Sequence, residues 1–235
     1  MTIDVVMPVF ETPVEWCREA IESIRIQSLK ANNLIIVDDN NKPGDLKEYL
    51  YEQATCECKT IVVKTNENKG IAAALNLGLS NCTSDLIVRM DSDDIARPNL
   101  LELHNRYFEA FPKRHICGVQ IKLFSKSRVW YSNHPAIVTK EFAYSDLGFW
   151  FVNQPGIAYR RETVKSLGYY GDIPFNLAED YALWIKFLRA GYLIYNRKEI
   201  LIDYRVHPKS FSYAPDRKAP EWYEFLNQQK KSLYE

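Results

Sequence analysis

The sequence predicts an α/β fold in which a mostly parallel central sheet is flanked by helices, with a smaller mixed region in the second half. Short apolar runs alternate with segments of helical periodicity from residue 3 to residue 111, the pattern of parallel βαβ units. Two of those runs lead straight into acids. Leu34-Ile35-Ile36-Val37 is followed by Asp38 and Asp39, and Leu86-Ile87-Val88-Arg89-Met90 by Asp91-Ser92-Asp93-Asp94. In open α/β sheets the carboxyl ends of the strands are where ligands bind. No G-x-G occurs anywhere, which removes both the dinucleotide fingerprint and the Gly-rich phosphate loop.

In chain order, the run over 3–10 is broken by Pro8, so a buried strand ends near Val9 or Phe10. Thr12-Pro13 opens a helix whose Val14, Cys17, Ile21 and Ile24 form one apolar stripe. A second strand covers 34–37. Pro43-Gly44 turns into a helix through Tyr49 and Leu50, and Thr60-Ile61-Val62-Val63 is a third strand. After a polar loop over 66–70, a helix rich in alanine and leucine covers 71–79. The fourth strand is the run that ends at Asp91, and a helix comes next over 100–111.

Beyond His115 the pattern loosens. A strand covers 116–124 with 128–131 beside it, and a helix covers 138–147. The cluster Gly148-Phe149-Trp150-Phe151 reads as an apolar plug in the core. A helix over 161–167 stops at Gly168. Leu177-Ala178-Glu179-Asp180 opens another, with Tyr181, Trp184, Ile185 and Leu188 on one face and Gly191 at its end. Strands over 193–195 and 200–204 and a peripheral helix within 220–235 complete the chain. The whole is one domain, 1–235, with a ligand-binding half over 1–114 and a second half with the tail over 115–235.

Thirty basic and thirty acidic residues cancel, so no net field favours nucleic acid or an anionic membrane. No stretch is long enough to span a bilayer. The five cysteines (Cys17, Cys56, Cys58, Cys82 and Cys117) are odd in number and lack a C-x-x-C pair, as expected of a reduced, cytoplasmic compartment.

Crowded carboxylates repel one another unless a cation or a hydrogen-bond network sits among them. Asp91 and Asp93, on alternate residues of an extended chain, turn two oxygen donors to one side, a choice that suits Mg²⁺ or Mn²⁺ over zinc. A second role also fits the pattern: Asp93 or Asp94 capping the helix that Pro98 opens. An EF-hand does not fit. Glu102 stands twelfth from Asp91, but Ile95 holds a ligand position and Ala96 the position of the turn glycine.

Five short motifs in order, Pro8-Val9-Phe10-Glu11, Val37-Asp38-Asp39-Asn40, Asn68-Lys69-Gly70, Met90-Asp91-Ser92-Asp93-Asp94 and Ala178-Glu179-Asp180-Tyr181-Ala182-Leu183-Trp184, resemble those of the family 2 glycosyltransferases. That resemblance implies the GT-A (Rossmann-like) fold, with the nucleotide-sugar half over 1–114 and the acceptor half over 115–235, and an inverting transfer from a UDP-sugar. It implies that Asp39 accepts a hydrogen bond from the uracil, that Pro8, Val9, Phe10 and Glu11 line the base, and that Asn68, Lys69 and Gly70 belong to the donor site. Asp91 and Ser92 would lie along the ribose and diphosphate, and Asp91 and Asp93 would hold Mn²⁺ or Mg²⁺. Asp180 would be the general base and Glu179 its support.

On local sequence alone, Glu179 and Asp180 equally complement the dipole of a helix N-terminus. His207, in Tyr204-Arg205-Val206-His207, stands where some relatives bring a histidine to the metal or diphosphate; a lone loop histidine is otherwise structural. Many members carry an arginine after the Asn-x-Gly segment, where this chain has Ala74-Leu75-Asn76. Arg89 and Lys69 are candidate substitutes, Arg89 also being placed to pair with a neighbouring carboxylate.

The resemblance further implies a glycan or lipid-linked glycan acceptor, chosen within 134–170, surface polysaccharide assembly, and a place at the inner face of a membrane without spanning it. A sugar nucleotidyltransferase would carry a Gly-rich basic loop where Val9-Phe10-Glu11-Thr12 stands, and nothing in the sequence establishes the pair of flanking carboxyl groups that a glycosidase requires. A non-catalytic partner of another transferase is disfavoured by the joint presence of Asp39, Asp93 and Asp180.

Overall fold

Strand β1 (Ile3–Val9) is covered on both faces. Alternation sends Ile3, Val5, Met7 and Val9 into one core layer and Val6 into the other, which is why the segment reads as an unbroken apolar run. The computed structural model describes residues 1–39, 43–53, 60–65, 70–145, 150–173, 178–208, 210 and 220–234. On either side of β1 lie β2 (Asn33–Asp38) and β4 (Leu86–Arg89), with β3 (Thr60–Lys64) beyond β2, all parallel. Their carboxyl ends therefore share one edge.

The connecting helices fall on both faces, as right-handed crossovers require. Helices α1 (Val14–Arg25), α2 (Asp45–Gln53) and α4 (Leu100–Ala110) pack on the layer of Val5 and Met7. Helix α3 (Ile71–Ser80) packs on the other, against Val6 and Ile35. Its approach is close enough that a Cβ on Gly78 would lie 2.5 Å from Val6 Cγ1, so only glycine fits there. At the opposite edge of the sheet from the acids, buried Asp4 accepts from the backbone N–H of Thr83 and Ser84 at 2.8 and 2.9 Å, fixing the start of β4 to β1.

In the second half the sheet continues and its directions mix. The full order is β3-β2-β1-β4-β9-β6-β10-β5. Strand β9 (Ala158–Arg160) runs antiparallel between β4 and β6 (Ile116–Phe124). Strand β10 (Ile194–Arg205) pairs parallel with β6, and β5 (Ile95–Ala96) lies antiparallel on β10. Edge strands β7 (Val129–Tyr131) and β8 (Ile137–Val138) pair with β6 and β10. Short α5 (Lys140–Tyr144) and α6 (Arg161–Ser166), then α7 (Glu179–Arg189) and α8 (Pro220–Lys231), cover this end. Tyr181, Trp184, Ile185 and Leu188 of α7 are all buried, and α8 docks Phe225 and Leu226 beside them. Among the described residues no helix is long and apolar enough to cross a membrane.

Several expectations are corrected. The strands expected over 193–195 and 200–204 are one strand, β10, whose register with β6 shifts between Asn196 and Ile200 and again before Ile202; such irregularities hide a strand from an alternation test. The helix expected over 138–147 is reduced to α5, because Ile137 and Val138 pair into the sheet and Thr139 caps the shortened helix, accepting from Phe142 N at 3.2 Å. Residue 147 lies outside the described residues, as do Cys56, Cys58, Asn68, Lys69, Gly148 and Phe149. The aromatic plug divides: Phe151 is buried, whereas Trp150 is 59% exposed. Asp93 and Asp94 cap no helix. They form a turn ahead of β5, and α4 begins later, at Leu100 after Asn99.

Candidate active site

At the shared edge, three buried strands release their chains into polar loops, and the loops enclose a cavity of about 970 Å³. From the end of β1 come Pro8, Phe10 and Glu11, the last in a turn with φ 49°. Val9 does not join them: its side chain is wholly buried in the core, and its contribution is a carbonyl that accepts from Asp39 N at 3.0 Å. This bond holds the end of β2 against β1 and turns Asp39 into the cavity. Asp39 is 3% exposed and accepts from Thr65 Oγ1 at 2.6 Å. Burial raises its pKa, the Thr65 bond opposing. Gly70, with φ 87°, brings the start of α3 to the same wall.

The acidic turn forms the floor. Arg89, the last residue of β4, is fully buried and ion-paired with Asp91. Desolvation pushes the Asp91 pKa up, the Arg89 charge pulls it down, and Asp93 and Asp180 push it up again. Ser92 Oγ meets Thr12 Oγ1 at 2.6 Å, tying this turn to the loop after β1. Asp93 Oδ2 lies 2.9 Å from His207 Nε2, whose ring packs on Trp16 at 4.7 Å between centroids. Asp94 is fully buried; its Oδ1 accepts from Arg205 N at 2.8 Å, and its pKa is driven well above the carboxylate range by burial and then by Asp93 and Asp91. Arg205 Nε also donates to Asp93 O at 3.0 Å, while its guanidinium pairs with Glu19 and lies over Trp16.

Across the cavity stands the N-terminus of α7. Glu179 is buried and Asp180 half-buried, and both line the cavity. Desolvation first, and the Asp180 charge second, push the Glu179 pKa up to about 8. Asp180 Oδ1 accepts from the neighbouring Tyr181 N at 2.7 Å.

The edge thus gathers Pro8, Phe10, Glu11, Asp39, Gly70, Arg89, Asp91, Ser92, Asp93, Glu179, Asp180 and His207 around one space. The family model of Glycosyl transferase family 2 matches residues 4–168 of this sequence. The chain belongs to that family. A glycosyltransferase of Haemophilus influenzae is 33% identical over 211 residues, covering 88% of this chain and 76% of its own length. The amylovoran biosynthesis glycosyltransferase AmsE of Erwinia amylovora is 28% identical over 80% of this chain and 69% of its own. The UDP-Gal:alpha-D-GlcNAc-diphosphoundecaprenol beta-1,3-galactosyltransferase of Escherichia coli is 29% identical, covering 80% of this chain and 67% of its own. In fold, the transferase matches S. aureus TarS 1-349 solved with UDP-GlcNAc, with a TM-score of 0.77 at 17% identity. The match covers 99% of this chain and 66% of that one.

The transferase also has cavity residues that the sequence did not assign to the site, Trp150 among them having been read as part of a core plug. Trp16, Trp130, Trp150, Tyr204 and Trp222 also line the cavity, and Asn153 and Gln154 add carboxamides. Trp16 was detectable in principle, as an aromatic residue off the apolar stripe of α1. The others sit in segments without periodicity.

The acids suit a divalent cation. One oxygen from each of Asp91, Asp93 and Asp94 lies within 4.8 Å of the others, and Asp94 Oδ2 is buried without a hydrogen-bond partner. Three clustered acids with a buried, unpartnered oxygen have the donors a cation needs, and an all-oxygen set favours Mg²⁺ or Mn²⁺.

Proposed function

We propose that this transferase moves a sugar from a UDP-sugar to an acceptor hydroxyl with inversion at the anomeric carbon. The observation that carries the reading is the convergence of Asp39, the Asp91–Asp93 pair and Asp180 on a single cavity. Asp39 accepts the N–H of uracil, and a base presenting an acceptor there would leave the buried carboxylate unpaired. Pro8 and Phe10 flank the base. Asp91 and Asp93 would hold the divalent ion, with His207 Nε2, 2.9 Å from Asp93 Oδ2, orienting that carboxylate. A bound Mn²⁺ or Mg²⁺ supplies Lewis-acid neutralisation of the charge that develops on departing UDP.

Asp180, half-buried where its neighbour Glu179 is buried, takes the proton of the acceptor hydroxyl as that oxygen attacks the anomeric carbon from the face opposite UDP. The aromatic side chains that line the cavity supply apolar surface for the acceptor. Relatives named for amylovoran biosynthesis and for a diphosphoundecaprenol-linked substrate support a lipid-linked glycan as acceptor. They also support a role in surface polysaccharide assembly, and with a lipid-linked acceptor the transferase works by peripheral contact at the inner, cytoplasmic face of a membrane. Balanced charge gives nucleic acid no purchase.

The test is UDP release from a panel of UDP-sugars, with Mn²⁺ or chelator, alone and with a diphospholipid-linked monosaccharide. We expect one UDP-sugar to be consumed, faster with acceptor and not at all with chelator, and Asp93→Asn to lose the metal response. Failure to release UDP from any of them would overturn the reading.

A further inference from the structure

Two helices from opposite halves of the chain bring residues to the cavity. Helix α3 contributes Ile71 and Ala74 behind Gly70, and α7 contributes Glu179, Asp180 and Tyr181. Both helices hold the same turn, over 168–171, which follows α6. Asn76 of α3 spans it: its Oδ1 accepts from Tyr170 N at 3.0 Å and its Nδ2 donates to Gly171 O at 3.3 Å. From α7, Lys186 Nζ donates to Tyr169 O at 3.0 Å. The ammonium sits so close that a Cβ on Gly171 would lie 2.9 Å from it.

The turn needs that support. Gly168, Tyr169 and Gly171 have φ of 73°, 53° and 75°. Glycine takes such values freely, whereas a tyrosine keeps one only where its surroundings impose it. Held this way, the turn sends Tyr170 into the core, where it is fully buried and its hydroxyl lies within reach of the charges of Arg89 and Glu179. A carboxamide offers a donor and an acceptor on one planar head, which is what adjacent backbone N–H and C=O groups require. Asn76 itself lies outside the cavity lining.

Building on the reading of Asp180 as the base of a UDP-sugar transferase, we propose that Asn76 is a positioning residue for the transfer step: with Lys186 it clasps α3 and α7 to one turn, and so sets Asp180 against the donor wall. Placement matters here because a misplacement on the order of 1 Å can cost about 10²-fold in rate.

The experiment is UDP release from the UDP-sugar that the wild type consumes, with a diphospholipid-linked monosaccharide as acceptor, beside calorimetric UDP binding with Mn²⁺. It compares the wild type, N76L, N76D and K186M, and sets N76L and K186M also in the D180N background. Leucine keeps the volume of the asparagine without its polar head, and aspartate keeps the oxygen that accepts from Tyr170 N. We expect N76L and K186M to lower kcat at least about tenfold with UDP affinity within about twofold, and N76D to lose less than N76L. In the D180N background each should cost less than about twofold, because a shifted base matters only where there is a base. A kcat within twofold of the wild type in N76L and K186M, a loss as large in the D180N background, or a matching fall in UDP affinity would overturn the inference and leave the UDP-sugar reading standing. If N76L does not fold, K186M decides by the same limits. A wild type that releases UDP from no UDP-sugar would overturn both.

Discussion

Glu179 and Asp180 are adjacent acids with different surroundings, and the difference divides their chemistry. Asp180 is half-buried and lines the cavity, so Asp180→Asn should retain UDP affinity within about twofold and lose roughly 10²–10⁴-fold in transfer, since it removes proton abstraction and little else. Steady-state kinetics beside UDP binding checks this; retained transfer would move the base elsewhere. Glu179 is buried, with a pKa raised from 4.5 to about 8. Between those values the unfolded chain has released a proton that the folded chain keeps, so this group costs stability increasingly as pH rises from 4.5 to 8. Its slope is at most about 1.4 kcal/mol per pH unit. Glu179→Gln should remove that part, so the variant gains on the wild type as pH rises from 5 to 8 in thermal scans; parallel curves would refute the assignment. That Asp39, Asp91 and Asp93 stand at strand ends was legible in the pattern of the sequence, whereas Asp180 was singled out through the family resemblance, its local pattern fitting a helix-dipole role equally. Trp150 was read with its neighbours as a core plug, and Gln154 was given no role, because a carboxamide or an aromatic in an aperiodic segment carries no local signal of what it faces.

At the scale of elements, a strap over 153–157, tied to β4 by Gly156 N donating to Arg89 O at 2.8 Å, turns a loop into part of the floor. Its Gly156 adopts a left-handed conformation and has Ile202 where a Cβ would go. Gly156→Ala should therefore cost on the order of 1–3 kcal/mol, read as a lower urea midpoint with unchanged slope; an unchanged midpoint would mean that β10 yields easily at Ile202. The alternating first half was legible element by element, since each strand there is a compact apolar run and each helix carries its own stripe. Strand β9 was missed because three residues, Ala158-Tyr159-Arg160, cannot show a period. The acidic turn was misread as a possible cap because its real partner, Arg205, lies 111 positions beyond Asp94, and local pattern does not register such contacts.

For the whole molecule, the order β3-β2-β1-β4 brings three strand ends to one edge, and the mixed strands of the second half close the far side of the same cavity with α7 and the strap. Residues of both halves thus meet at one cavity, which fits the single displacement proposed for it. The central claim is that the acids of this edge form a uracil-selective, metal-assisted nucleotide site. It is tested most directly by the thermal midpoint measured with UDP, GDP, TDP and CDP, each with Mn²⁺ or with chelator. A ligand at a hundredfold excess over its dissociation constant stabilises the native state by about 2.7 kcal/mol, an easily visible shift. The account predicts a rise with UDP that depends on Mn²⁺ and none with CDP, which presents an acceptor to Asp39 where UDP presents an N–H. An equal rise with CDP or GDP, or no rise with any nucleotide, would contradict it.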